Sequence, residues 1–203
     1  MVLNQGVSTR WQGSDHAPRG DDYDRRWHRL AAAGQSVHGE ANFVHDALHK
    51  CGGTRVLDAG CGTRRVAIEL AARGFTTVGV DADPQMLATA QTKAPDLTWI
   101  HADLAELTGV VEDPFDVAVL AGNVMIFLAP GTEDRVLYQV SESVTIGGLV
   151  IAGFSLRPGR LQLHDYDRFA AAAGLDPVAR WATWERTPFT GGEYAVSVHR
   201  RAG

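Results

Sequence analysis

The chain has 203 residues, 45% of them hydrophobic and 21% charged, which suits one folded domain and excludes a disordered, fibrous or membrane-embedded chain. Its 19 Lys and Arg against 24 Asp and Glu leave a net charge of −5, so no general basic surface awaits a nucleic-acid backbone. Two cysteines, Cys51 and Cys61, are too few for a disulfide framework, and a reducing cytoplasmic setting is expected.

Residues 1–20 are polar and carry Gly6, Gly13, Pro18 and Gly20, the composition of a flexible arm or a strap over the surface. The longest apolar stretch, 117–128, is broken by Gly122 and Asn123 and is too short for a bilayer, so no membrane contact is expected. From residue 21 the pattern becomes helical: Tyr23, Trp27, Leu30 and Ala31 share one face up to Gly34, and a second helix follows Ser36 through Val37, Ala41, Val44 and Leu48. Residues 21–50 therefore form a helical cap ahead of a core at 54–203.

In that core, strands and helices alternate. The pattern predicts strands at 54–59, 76–80, 97–101, 115–121 and 149–154. Helices are predicted at 65–73, 84–93, 133–144 (ended by Gly147) and about 163–173. Such alternation forces parallel pairing and a sheet covered on both faces, an α/β doubly wound fold. The end departs from this: 178–186 and 194–200 are extended runs joined through Gly191 and Gly192, a hairpin that makes one strand antiparallel.

The chemistry begins where the first strand meets its helix. Asp58-Ala59-Gly60-Cys61-Gly62-Thr63 brings two glycines to a strand-to-helix turn, where backbone can approach a ligand and adopt positive φ. Such turns also serve packing alone. The second strand ends in Asp81, 23 residues beyond Asp58, close to the spacing at which an acid meets ribose hydroxyls. The third strand runs into Ala102-Asp103-Leu104, placing another acid at a third strand end. Helix N-capping explains any one of these acids; three in register suggest a nucleoside. Nicotinamide enzymes need a third glycine where Arg65 stands, and Asp58 beside the loop would repel a pyrophosphate. The same carboxylate favours a ligand bearing an ammonium and a sulfonium.

The segments 56–63, Gly79-Val80-Asp81-Ala82-Asp83-Pro84-Gln85-Met86-Leu87, Ala102-Asp103-Leu104 and Phe115-Asp116-Val117-Ala118-Val119 resemble motifs I to IV of the class I S-adenosylmethionine-dependent methyltransferases. That resemblance implies a seven-stranded, mostly parallel Rossmann-like sheet of order 3-2-1-4-5-7-6 with the last strand antiparallel. It places Gly60 and Gly62 under the methionine part of S-adenosylmethionine, Asp58 beside the same loop, and Asp81 with Ala82 at the ribose. Ala102, Asp103 and Leu104 would surround the adenine, and residues 121–125 would border the transferable methyl. The segment around Tyr23 and Arg26 resembles the cap of small bacterial members. Arg26 there would hold the methionyl carboxylate, with Tyr23 or Trp27 facing the sulfonium. One position departs from the family: Arg64 replaces the usual glycine, and its side chain must point away from the cofactor or crowd it.

The expected activity is methyl transfer to a small molecule, leaving S-adenosylhomocysteine. A cofactor-binding module without turnover and an NAD-dependent oxidoreductase are the alternatives. A dedicated base is needed only when the acceptor must lose a proton, and His38, Glu40 and Asn123 are the candidates, with His164 and Tyr166 behind them. Asn123 lacks the Pro-Pro-aromatic tail of enzymes that methylate base or glutamine amino groups, since Val124-Met125-Ile126 follow it. Arg157 and Arg160 form a basic loop, and Trp181, Trp184, Pro188 and Phe189 gather aromatic surface in the last hairpin. A monomer or homodimer without nucleic-acid or membrane partners is expected.

Overall fold

The structure is a computed structural model that describes residues 9–13 and 38–203. The expected helix at 21–34, with Tyr23, Arg26 and Trp27, lies outside the described residues. Among those described, the first helix is α1 (Gly39–Cys51), which buries Ala41, Phe43, Val44, Ala47 and Leu48 along one face and stops where Gly52 turns left-handed at φ 69°.

The core then follows as β1 (Arg55–Ala59), α2 (Arg65–Ala72), β2 (Thr76–Asp81), α3 (Pro84–Lys93), β3 (Thr98–His101) and a 3₁₀ turn at Leu104–Glu106. After these come β4 (Phe115–Leu120), α4 (Val124–Phe127), α5 (Glu133–Glu142), β5 (Val144–Ser155), α6 (Leu163–Ala172), β6 (Leu175–Trp181) and β7 (Tyr194–Arg201). The seven strands form one sheet of order β3-β2-β1-β4-β5-β7-β6. β1 pairs in parallel with β2 and β4, and β7 runs antiparallel to both β5 and β6.

Side-chain alternation along the strands splits the core into two layers. Val56, Val117, Val119, Leu149 and Ile151 face α1 and α2, while Leu57, Ala118, Leu120, Val150 and Ala152 face α5 and α6. The parallel register sets Ala59 beside Val80 and Asp81 beside His101, so β1, β2 and β3 end at one level and their following loops share a single edge. Open α/β sheets bind ligands at such an edge.

Several boundaries differ from the sequence expectation, among them the end of β6, at Trp181 and not 186. α5 stops at Glu142 and β5 begins at Val144, because Val144 is fully buried and pairs with Phe115 across a bulge; Gly147, at φ 82°, lies inside this strand. β6 begins at Leu175 and not 178, slipping one register between Pro177 and Ala179 because proline has no N–H for the ladder. The short helix α4 had no periodic signature, since four residues cannot show one. No described helix is long and apolar enough to cross a membrane.

Candidate active site

The turn from β1 into α2 is held from below: the N–H groups of Gly60 and Cys61 both donate to Val80 O, at 2.8 and 3.0 Å. Gly60 and Gly62 take φ of 80° and 54°. A Cβ at Gly60 would meet the Val124 side chain at 2.5 Å, so both conformation and space demand glycine there. Beside this turn opens a cleft that includes Asp58, Gly60, Gly62, Asp81, Ala82, Asp83, Asp103 and Leu104 in its lining. Apolar walls come from Val66, Met86, Val124, Phe127 and Leu128.

Each acid in the cleft also organises backbone. Asp58 accepts the Ala67 N–H at 3.1 Å, and burial pushes its carboxyl up to about 7 despite that bond and the opposing charge of Arg65. Asp81 accepts the Gly62 N–H at 2.8 Å through Oδ2 and the Asp83 N–H at 2.9 Å through Oδ1; burial raises its carboxyl too. Asp81 thus fixes the glycine turn relative to β2. Asp83 caps α3 by accepting the Gln85 and Met86 N–H groups, and Asp103 accepts the Ala105 N–H at 2.9 Å. Capping and ligand binding are therefore compatible readings of these residues, because each oxygen has two lone pairs.

The remaining candidates separate. Ala82 and Leu104 line the cleft; Ala102 does not, and its N–H donates to Asp81 O at 3.1 Å. Asn123 sits at φ 71° and its amide oxygen accepts the Ser155 N–H at 2.7 Å, tying the end of β4 to the end of β5; its neighbours Ala121, Gly122 and Val124 line the cleft. His38 lies 3.3 Å from Glu69 and does not line the cleft. Glu40, buried, grips Arg65 with both oxygens, and Arg65 is the member of that pair that reaches the cleft. Tyr166 is fully buried beneath the sheet beside Phe154, and His164 is exposed next to Asp165. Trp184 donates to Tyr194 Oη and packs on Phe43, closing the sheet end against α1.

Arg64 turns away from the cleft. It occupies the left-handed region at φ 78°, and its guanidinium donates to Thr89 O in α3 at 2.7 Å. Burial lowers its pKa to about 10.

The sequence allows residues 1–20 to be a strap over the surface but assigns none of them to the site. Trp11 and Thr9 line the cleft. The Trp11 indole N–H donates to Asp83 Oδ2 at 3.1 Å, its ring stands edge-on to Phe127 at 5.3 Å, and its backbone N–H donates to Phe127 O. Arg10 reaches Leu128 O and Glu133, and Gln12 reaches Ala82 O. This strap bridges the loop after β2 and the loop after β4. Its only sequence signal was a tryptophan in a polar stretch, and the contacts lie 70 or more residues away along the chain.

The cleft thus joins a backbone turn able to approach a ligand, four carboxylates and apolar walls, which fits a nucleoside carrying positive charge and disfavours a phosphate. Residues 56–148 match the family model for a methyltransferase domain. The chain is 31% identical to the solved structure of a TehB-like S-adenosylmethionine-dependent methyltransferase from Corynebacterium glutamicum, with a TM-score of 0.79 over 90% of this chain and 97% of that one. It is 35% identical over 94 residues to the magnesium-protoporphyrin O-methyltransferase of Rhodobacter capsulatus, covering 44% of this chain and 41% of that protein. It is 31% identical over 113 residues to the glycine/sarcosine N-methyltransferase of Aphanothece halophytica, covering 54% and 40%. The chain spans less than half the length of these two curated relatives.

Proposed function

The chain belongs to the class I S-adenosylmethionine-dependent methyltransferases, and from that membership we propose that it transfers a methyl group to a small-molecule acceptor at the cleft edge of β1, β2 and β4. The observation that carries this reading is the meeting of Gly60 and Gly62, both at positive φ, with the Asp81 carboxylate that accepts the Gly62 N–H.

S-adenosylmethionine, when bound, supplies an electrophilic methyl on a sulfonium. Gly60 and Gly62 would pass under the methionine part, Asp81 and Ala82 would hold the ribose, and Asp103 and Leu104 would flank the adenine. Asp58 would balance the ligand's positive charge. Thr9 and Trp11 would close the outer side and exclude water. The acceptor would enter along Ala121, Gly122 and Val124. Methyl transfer is an in-line displacement, so positioning supplies most of the rate, with effective molarities on the order of 10⁵ to 10⁸ M for well-oriented reactants. Asn123 acts here as a positioning residue, since its hydrogen bond to Ser155 holds the turn that presents Gly122 and Val124.

The test is parallel calorimetry with S-adenosylmethionine, S-adenosylhomocysteine and NAD. Binding of the first two without NAD is expected; binding of NAD alone would overturn the reading. Release of S-adenosylhomocysteine with methylated product, screened over small amines, phenols and carboxylic acids, separates an enzyme from a binding module.

A further inference from the structure

On the outer face of α1, away from the cleft lining, His45 and His49 stand four residues apart and face each other through Nε2, 3.1 Å between the two nitrogens. Residues at this spacing share one helix face. Both rings are held. Each stands edge-on to Phe75, at 5.7 Å for His45 and 5.9 Å for His49, and the two ring centroids lie 4.4 Å apart. On its other side, His45 Nδ1 is 3.4 Å from Asp46 Oδ1, and Asp46 is itself fixed by Arg186 at 2.9 Å.

From this geometry we propose that His45 and His49 form a chelating site for a divalent transition ion of the zinc, nickel or copper class. With metal–nitrogen bonds of about 2.0 to 2.1 Å, two Nε2 atoms 3.1 Å apart subtend an angle of roughly 100° at the ion, between the octahedral and tetrahedral values. The ion therefore enters without moving either ring far. Imidazole nitrogens suit these metals and not magnesium or calcium. Coordination through Nε2 places the proton on Nδ1, where the Asp46 carboxylate faces the His45 ring; this is the arrangement that orients metal-bound histidines elsewhere. Without metal the same two nitrogens share one N–H···N hydrogen bond, so the rings stay preorganised. Among the described residues no third His, Cys, Asp or Glu joins them, so water completes the coordination sphere and the bound ion stays exchangeable. The chelate spans one turn of the helix whose first turn carries Glu40, the residue that grips Arg65 at the cleft, and ion binding thus stabilises α1.

The experiment is titration of the full chain with ZnCl₂ and NiCl₂, followed by calorimetry and thermal denaturation, beside His45→Gln, His49→Gln and Cys51→Ser. Glutamine keeps the helix and removes the ligand. One ion per chain with micromolar affinity and a rise in Tm is expected for the wild type. At least a tenfold loss is expected for each histidine variant, and none for Cys51→Ser, whose thiol lies two residues beyond His49. Equal affinity in either histidine variant, a tenfold loss with Cys51→Ser, or no binding at 1 mM metal would overturn the proposal. Failure here leaves the cleft reading untouched, because that reading is judged by S-adenosylmethionine binding.

Discussion

Replacing Arg64 by glycine and, separately, by alanine isolates what an unusual residue does at the start of α2. Three structural facts set the magnitudes: φ is 78°, the guanidinium donates to Thr89 O at 2.7 Å, and Nε has no partner among the described residues. A non-glycine residue in the left-handed region costs about 1 to 2 kcal/mol, which glycine relieves. Glycine returns about 0.5 to 1 kcal/mol of that through the greater freedom of its unfolded chain. The charged hydrogen bond to Thr89 contributes about 1.5 to 3 kcal/mol, and the unpaired buried N–H costs about 1 to 3 kcal/mol, so these two nearly cancel. Arg64→Gly should therefore lie within about 1 kcal/mol of the wild type. Arg64→Ala keeps the backbone strain but not glycine's unfolded-state freedom, and should be about 0.5 to 1 kcal/mol less stable than Arg64→Gly, a Tm difference of about 1 to 4 °C at this chain length. Urea unfolding and calorimetry with S-adenosylmethionine measure the two effects. Affinity should stay within a factor of about 3 in Arg64→Gly, because the side chain does not line the cleft. Equal stability of the alanine and glycine variants would refute the strain argument, and a tenfold weaker cofactor would show that the guanidinium is a ligand contact.

Asp81→Ala should lose about 2 to 4 kcal/mol of S-adenosylmethionine binding by calorimetry. Because Asp81 also fixes the Gly62 and Asp83 N–H groups, its thermal melt should fall by about 1 to 3 kcal/mol in stability, with far-UV circular dichroism unchanged. Asp58 titrates near 7 in the fold against an ordinary 3.8, so the native state holds the extra proton between these values. The Asp58 contribution to stability is then full below about pH 4 and lost as pH rises toward 7, and Asp58→Asn should flatten that slope in urea unfolding between pH 4 and 7. A cationic ligand favours the ionised carboxylate, so S-adenosylmethionine affinity should rise as pH passes 7 in the wild type and not in Asp58→Asn. Trp11→Ala removes the wall that bridges Asp83 and Phe127, and stopped-flow fluorescence should show at least tenfold faster S-adenosylhomocysteine release with little change in melting temperature. An unchanged release rate would make the strap a packing element only.

What the sequence by itself determined was whatever depends on local pattern. The near-continuous apolar runs of β1, β4 and β5, buried on both faces, and the helical period between them specify a doubly wound sheet, since a strand with two apolar faces needs helices on both sides. Gly60, Gly62, Asp81 and Asp103 were legible too, because strand ends in a parallel sheet lie level and a residue just after a strand must sit at that edge. The tertiary structure alone decided pairings between distant segments. Nothing near Glu40 marks Arg65 as its partner, nothing near Asn123 marks the Ser155 N–H, and nothing in a polar arm marks Trp11 as a wall between Asp83 and Phe127. Nor could the sequence choose between the two directions open to Arg64, which the Thr89 carbonyl settles. The reason is physical: periodicity fixes which face a side chain presents, whereas its partner depends on how the layers pack, and that is set by the whole core at once.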